Sequence, residues 1–174
     1  IVKYTPLEAT LKIVNASKNL AAASAYDAED VLSESASNGV GTAWTFSAVA
    51  RKNGGYGRVT SAIAISETTA LTPRLVLFLY NATPTCELDD HAANNQPLEA
   101  DWGSFIGVIE FPAMVDRGTG NSYTIATPST YGNLPLDFVC ATAADDLIGV
   151  LVTLDAFTQV ATKTLQIWLG VEQY

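Results

Sequence analysis

The segment from Val49 to Thr85, VARKNGGYGRVTSAIAISETTALTPRLVLFLYNATPT, constrains the fold of this chain more than any other. Its last apolar run, Leu75 to Tyr80, has Pro73 before it and Asn81 and Pro84 after it. An unbroken apolar run between such breakers predicts a strand with neither face in water, in the middle of a sheet. Arg58 to Ser66 alternates instead: Val59, Ile63 and Ile65 share one face with Ser61, while Thr60, Ala62, Ala64 and Ser66 make a smaller, more polar one. That period of two belongs to a strand. Asn53-Gly54-Gly55-Tyr56-Gly57 supplies residues that accept positive φ, as tight hairpin turns and bulges require. The segment is therefore expected to form a central hairpin.

The same signals recur along the chain. Tyr4 to Val14 alternates around Leu7, Leu11 and Ile13, and residues 1–25 are expected as an extended arm or edge strand, with a short helix at Asn19 to Ala25 as an alternative. Asp30 to Ser35 is a strand candidate. Trp44 and Phe46 alternate with Thr45 and Ser47, a half-buried strand with its aromatics on one face. Further strands are expected at Phe105 to Phe111, Ser122 to Ala126, Leu136 to Ala141, Leu147 to Leu154 and Thr164 to Val171. About nine or ten short strands with turn signals between them predict one all-β domain over residues 1–174, an antiparallel β-sandwich. Between them, Ala82 to Asp101 is rich in Pro, Asn, Asp and Glu without apolar periodicity, a long loop of the kind that carries function or partner contact.

Composition narrows the partners. Nine Lys and Arg against eighteen Asp and Glu leave a net charge of −9, so a phosphate backbone would be repelled and nucleic acid is not expected as a partner. No run approaches the roughly 20 apolar residues of a membrane helix, and no membrane contact is expected. Charged residues make up only 16% and hydrophobic ones 48%, which argues for apolar surface covered by a partner or by another copy. Cys86 and Cys140 fit two free core thiols or a single disulfide.

Residues that could carry chemistry are few. Glu87, Asp89, Asp90 and His91, with Glu99 and Asp101, could bind calcium or act as acid and base, but their spacing departs from the calcium-loop pattern and a solvated acidic loop is the simpler reading. His91 is the only histidine, and no Gly-x-Ser-x-Gly elbow supplies a nucleophile. The glycines at 54, 55 and 57 lack the Gly-Lys-Ser/Thr ending of a phosphate loop. No catalytic group, metal or cofactor is expected.

Taken as a series, Gly54-Gly55-Tyr56-Gly57, Val59 to Ile65, Leu75 to Leu79, Thr83-Pro84-Thr85 with Asp90-His91-Ala92-Ala93, Asp101 ahead of Ile106-Gly107-Val108-Ile109, and the closing Leu165 to Val171 with Glu172-Gln173-Tyr174 resemble tailed-phage virion structural proteins of the capsid decoration, or cement, type. The resemblance covers the chain from Ala50 onward and rests on structural motifs. It implies a β-sandwich, jelly-roll-like, that sits on the outer surface of the head as a homotrimer, binds the major capsid protein and clamps neighbouring capsomers. Such a protein has no catalytic residues and no cofactor. Contacts with partners are then expected from Tyr4 and Leu7 in the arm, Tyr56 at the glycine turn, His91 and Trp102 around the long loop, and Tyr131 in the connection before Leu136. The alternative is a tail or fibre module that binds a host-surface carbohydrate through exposed aromatics.

Overall fold

The computed structural model describes residues 8–21, 25–128, 133–160 and 162–174. Twelve strands account for nearly all of its regular structure: β1 (Thr10–Asn19), β2 (Ala25–Tyr26), β3 (Val31–Leu32), β4 (Trp44–Phe46), β5 (Tyr56–Ser66), β6 (Leu75–Tyr80), β7 (Phe105–Phe111), β8 (Ser122–Ala126), β9 (Leu136–Val139), β10 (Leu147–Thr153), β11 (Phe157–Thr158) and β12 (Thr164–Gln173). All pairings are antiparallel, in two five-stranded sheets and a two-stranded one formed by β2 and β11. The first has the order β1-β12-β5-β8, with β9 also on β5; the second has the order β3-β10-β6-β7, with β4 also on β10. This is the antiparallel sandwich that the strand spacing predicts.

The pairing is nested. β1 pairs with β12, β2 with β11, β3 and β4 with β10, β5 with β8 and β9, and β6 with β7. The chain thus folds as one long antiparallel ribbon whose turn is the β6–β7 connection. Two further pairings, β5 with β12 and β6 with β10, close the ribbon into the two sheets.

Three expectations are corrected by this topology. β5 and β6 do not form a hairpin: they are central strands of opposite sheets and face each other across the core. Nor does the glycine-rich turn join a hairpin. It carries the chain from β4 in the second sheet to β5 in the first, with Gly54 at φ 67° and its N–H within reach of the Ala141 and Ala144 carbonyls. The third is the single face expected for Val59, Ile63 and Ile65. Val59 points inward, but the register with β12 slips between Gly170 and Val171, so that Thr60 has no partner and the strand turns over. Such a bulge reverses every side chain beyond it. Ala62, Ala64 and Ser66 are therefore buried, and Ile63 and Ile65 lie on the outer face, half-buried.

Smaller differences follow from the same pairings. Within the described residues the N-terminal strand is β1, an edge strand of the first sheet, and Asn19 belongs to it; residues 1–7, where the expected arm begins, and 22–24 of the alternative helix lie outside the described residues. The candidate at Asp30 to Ser35 shrinks to β3 and a bridge at Asp30.

The core lies between the sheets. Leu75, Leu77 and Leu79 of β6 meet Trp44, Phe46, Leu147 and Leu151 from the same sheet and Ala62, Ala64, Ile167 and Leu169 from the other. Each fully buried aliphatic side chain contributes about 1.5–3 kcal/mol. Gly149 is small for a reason: a Cβ there would stand 2.8 Å from Leu77 Cδ1 and 3.0 Å from Phe46. The other face of β6 is buried too, as its unbroken apolar run predicts. Val76 and Tyr80 join Val31, Val150 and Val152 in a second cluster on the outside of the second sheet, with Cys86, Leu88 and Leu98 from the segment 82–101 packed over it. Both cysteines are free and buried, Cys86 in this outer cluster and Cys140 in the main core.

Candidate functional site

The expected functional loop, residues 82–101, is first of all a lid on the second sheet. Its backbone runs beside β3: the Val31 N–H donates to Ala92 O at 2.9 Å, the His91 N–H to Val31 O at 3.0 Å, and the Asn94 N–H to Glu29 O at 2.9 Å. These bonds cover a sheet edge that would otherwise expose its ladder groups. Two aspartates hold the loop from its other side. The Asp89 carboxylate accepts the backbone N–H groups of Gly39, Val40 and Gly41 at 2.7, 3.1 and 2.7 Å. Those donors hold its pKa below the usual carboxylate range, so the hook is charged at neutral pH and is lost as the pH falls. Gly41 must lack a side chain, because a Cβ would lie 2.2 Å from Leu88 O.

Asp90 is buried and accepts three kinds of donor: the Tyr26 hydroxyl at 3.0 Å, the Ser33 N–H at 2.7 Å and His91 Nδ1 at 2.7 Å. Burial raises its pKa against the pull of these donors, and burial with the neighbouring Asp90 pushes the Tyr26 phenol far up. His91 itself sits at φ 62° with its ring stacked on Tyr26 at 3.8 Å. The Asp–His pair that the sequence offers as an acid–base candidate is thus committed to pinning the lid. Asp101 is likewise engaged with the Thr85 N–H and hydroxyl. Among the described residues, no three His, Cys, Asp or Glu side chains converge as a metal-ligand set. Burial pushes both thiols up to about 11, so neither is a thiolate at neutral pH.

Of the six residues expected to make partner contacts, Tyr4, Leu7 and Tyr131 lie outside the described residues. His91 belongs to the lid. Tyr56 and Trp102 come to the same end of the sandwich. Tyr56, first residue of β5, pairs with Val139 of β9; the Asn81 side chain donates to Val139 O; and the Asn81 N–H donates to the carbonyl of Ser104, two residues from Trp102. Trp102 is 64% exposed and Val139 57%. A groove of about 330 Å³ opens here between Tyr56, Asn81, Ile106, Asp137, Phe138 and Val139. Tyr56 stacks on Tyr174, the last residue of the sequence. The N-terminal arm enters at this end too, because Thr10 pairs with Gln173 and Arg51 binds the Glu8 carbonyl and the Thr10 hydroxyl.

A second surface was missed by sequence reasoning. On the outer face of the first sheet, Asn15, Trp168, Ile63 and Ile125 form one row across four strands, and Ser17, Gln166, Ile65 and Tyr123 form the next. Leu11 and Ile13 extend the face along β1, 68% and 60% exposed. The bulge at Thr60 puts the isoleucines here. An alternation carried straight through β5 conceals it, and the available signal was the conflict between an isoleucine face on β5 and an outward-facing Trp168 beside it.

The chain matches no family model, no curated protein and no solved structure.

Proposed function

We propose that the chain is a non-enzymatic decoration protein of a tailed-phage head, which binds the major capsid protein on the outer surface of the assembled shell and stabilises it. The observation that carries this reading is the nested strand pairing, β1 with β12 inward to β6 with β7. We take that nesting as the connectivity of a jelly roll, a fold shared by viral capsid and lectin domains. Because a fold admits many functions, the surfaces must decide between these two.

They favour protein contact. The end that gathers Tyr56, Val139 and Trp102 exposes apolar side chains, and its groove mixes Ile106, Phe138 and Val139 with Tyr56, Asn81 and Asp137, an apolar floor with a polar margin of the kind protein interfaces carry. One face of Tyr56 is taken up by Tyr174, and Trp168 lies apart on the first sheet's outer face, so these aromatics do not line up as a sugar platform. Tyr56 and Trp102, two of the six expected contact residues, lie at this end, where Arg51 also holds the Glu8 carbonyl and the Thr10 hydroxyl. A protein that binds the assembled shell and not its free subunits stabilises it by mass action. Repeated copies that each bridge two capsomers add avidity.

The rupture of purified heads tests this reading. Heads stripped of the protein are expected to break at lower temperature than complete ones and to regain their resistance when the chain is added back; no gain on addition counts against the proposal.

A further inference from the structure

We infer that the outer face of the first sheet is a two-fold interface that joins two copies of this chain. The two outer faces of the sandwich are treated differently by the fold. The second sheet's outer face is sealed by residues 82–101, down to 1% exposure at Val150. The first sheet's outer face has no such lid among the described residues, although it carries Leu11, Ile13, Ile63, Ile65, Ile125 and Trp168. Single exposed apolar side chains are ordinary, but a contiguous set across four strands is a contact surface.

Charge selects the occupant. In a chain of net charge −9, the middle rows of this face hold no ionisable group but the Tyr123 phenol. The polar positions between the apolar ones are neutral: Asn15, Ser17, Ser61 and Gln166. Charges stand at the rims, with Arg58, Asp137 and Glu172 at one end, Glu67 at the other and Arg117 on the Tyr123 hydroxyl. A basic partner would find no complementary charge in these rows, and a second acidic copy meets no like charge in them. A two-fold axis brings the same patch of both copies together, and a sheet face suits this because sheets pack face to face about 10 Å apart. Four strands ~4.8 Å apart, over about seven residues of ~3.3 Å each, give on the order of 450 Å² in projection. With side-chain relief added, this approaches the ~800 Å² per partner of a standard interface. A two-fold pairing makes a dimer in place of the trimer implied by the phage resemblance. It does not rest on shell binding: the rows from Asn15 to Ile125 and from Ser17 to Tyr123 lie away from the end that gathers Tyr56, Val139 and Trp102.

Sedimentation equilibrium of the isolated chain, without heads, tests the inference. The wild type is expected at twice the 18.4 kDa of one chain, with association tightening as salt screens the net charge. Ile125→Lys and Trp168→Glu are each expected to weaken it at least ~30-fold, and Trp102→Ala to leave it unchanged. If either variant loses its circular dichroism spectrum, Ile13→Lys on the most exposed part of the face replaces it. A wild type that stays monomeric to ~1 mM, or an oligomer that these substitutions leave intact, overturns the interface.

Discussion

Asp90→Ala is expected to lower the unfolding free energy by about 3–5 kcal/mol and to release residues 82–101 from the sheet beneath them. The substitution strands the buried Tyr26 hydroxyl and the Ser33 N–H, each costing about 1–3 kcal/mol once unpaired, and removes the partner that orients His91. Asp90→Asn keeps the shape and one acceptor oxygen and is expected to cost about half as much. Urea midpoints measure the loss, and cleavage by a protease within 82–101 reports the release. A loss under about 1 kcal/mol with the segment still protected would mean that the apolar contacts of Leu88 and Leu98 hold the lid without the aspartate.

Under the proposed function, the double substitution of Tyr56→Ala with Val139→Asp is expected to weaken binding to expanded heads at least ~100-fold while leaving the fold intact. A carboxylate placed in an apolar contact must be desolvated without a partner, at a cost of several kcal/mol, and tyrosines rank among the residues that dominate protein interfaces. Both positions are exposed, so stability should move by no more than about 0.5 kcal/mol. Binding isotherms on purified heads, with melting curves as the control, check it. Undiminished affinity would move the shell contact away from this end of the sandwich.

Local pattern was enough to find the strands and not enough to assemble them. Phe105 to Phe111 and Ser122 to Ala126 have the bounds that their breakers suggest, because Pro112 and the Gly118-Thr119-Gly120 turn act on neighbouring residues. The partners of β5 and β6 were illegible: adjacency in sequence suggested a hairpin, whereas long-range pairings with β12 and β10 decide their sheets. A single slipped pair opposite Gly170 then turns Ile63 and Ile65 outward, and nothing within β5 announces it. The continuous apolar run of β6 was the most informative signal, since it required cover on both faces. What supplies the second cover, a polar segment hooked by Asp89 and Asp90, looked like a solvated acidic loop because its few apolar residues, Cys86, Leu88 and Leu98, follow no period. Tyr56 and Trp102, expected as partner contacts, are both exposed, and only the fold brings them to one end.

Co-sedimentation of the purified protein with expanded heads lacking it, with unexpanded heads alongside, tests whether this chain decorates an assembled head. Saturable binding to expanded heads alone is expected. Binding to neither, with the protein folded, would contradict it.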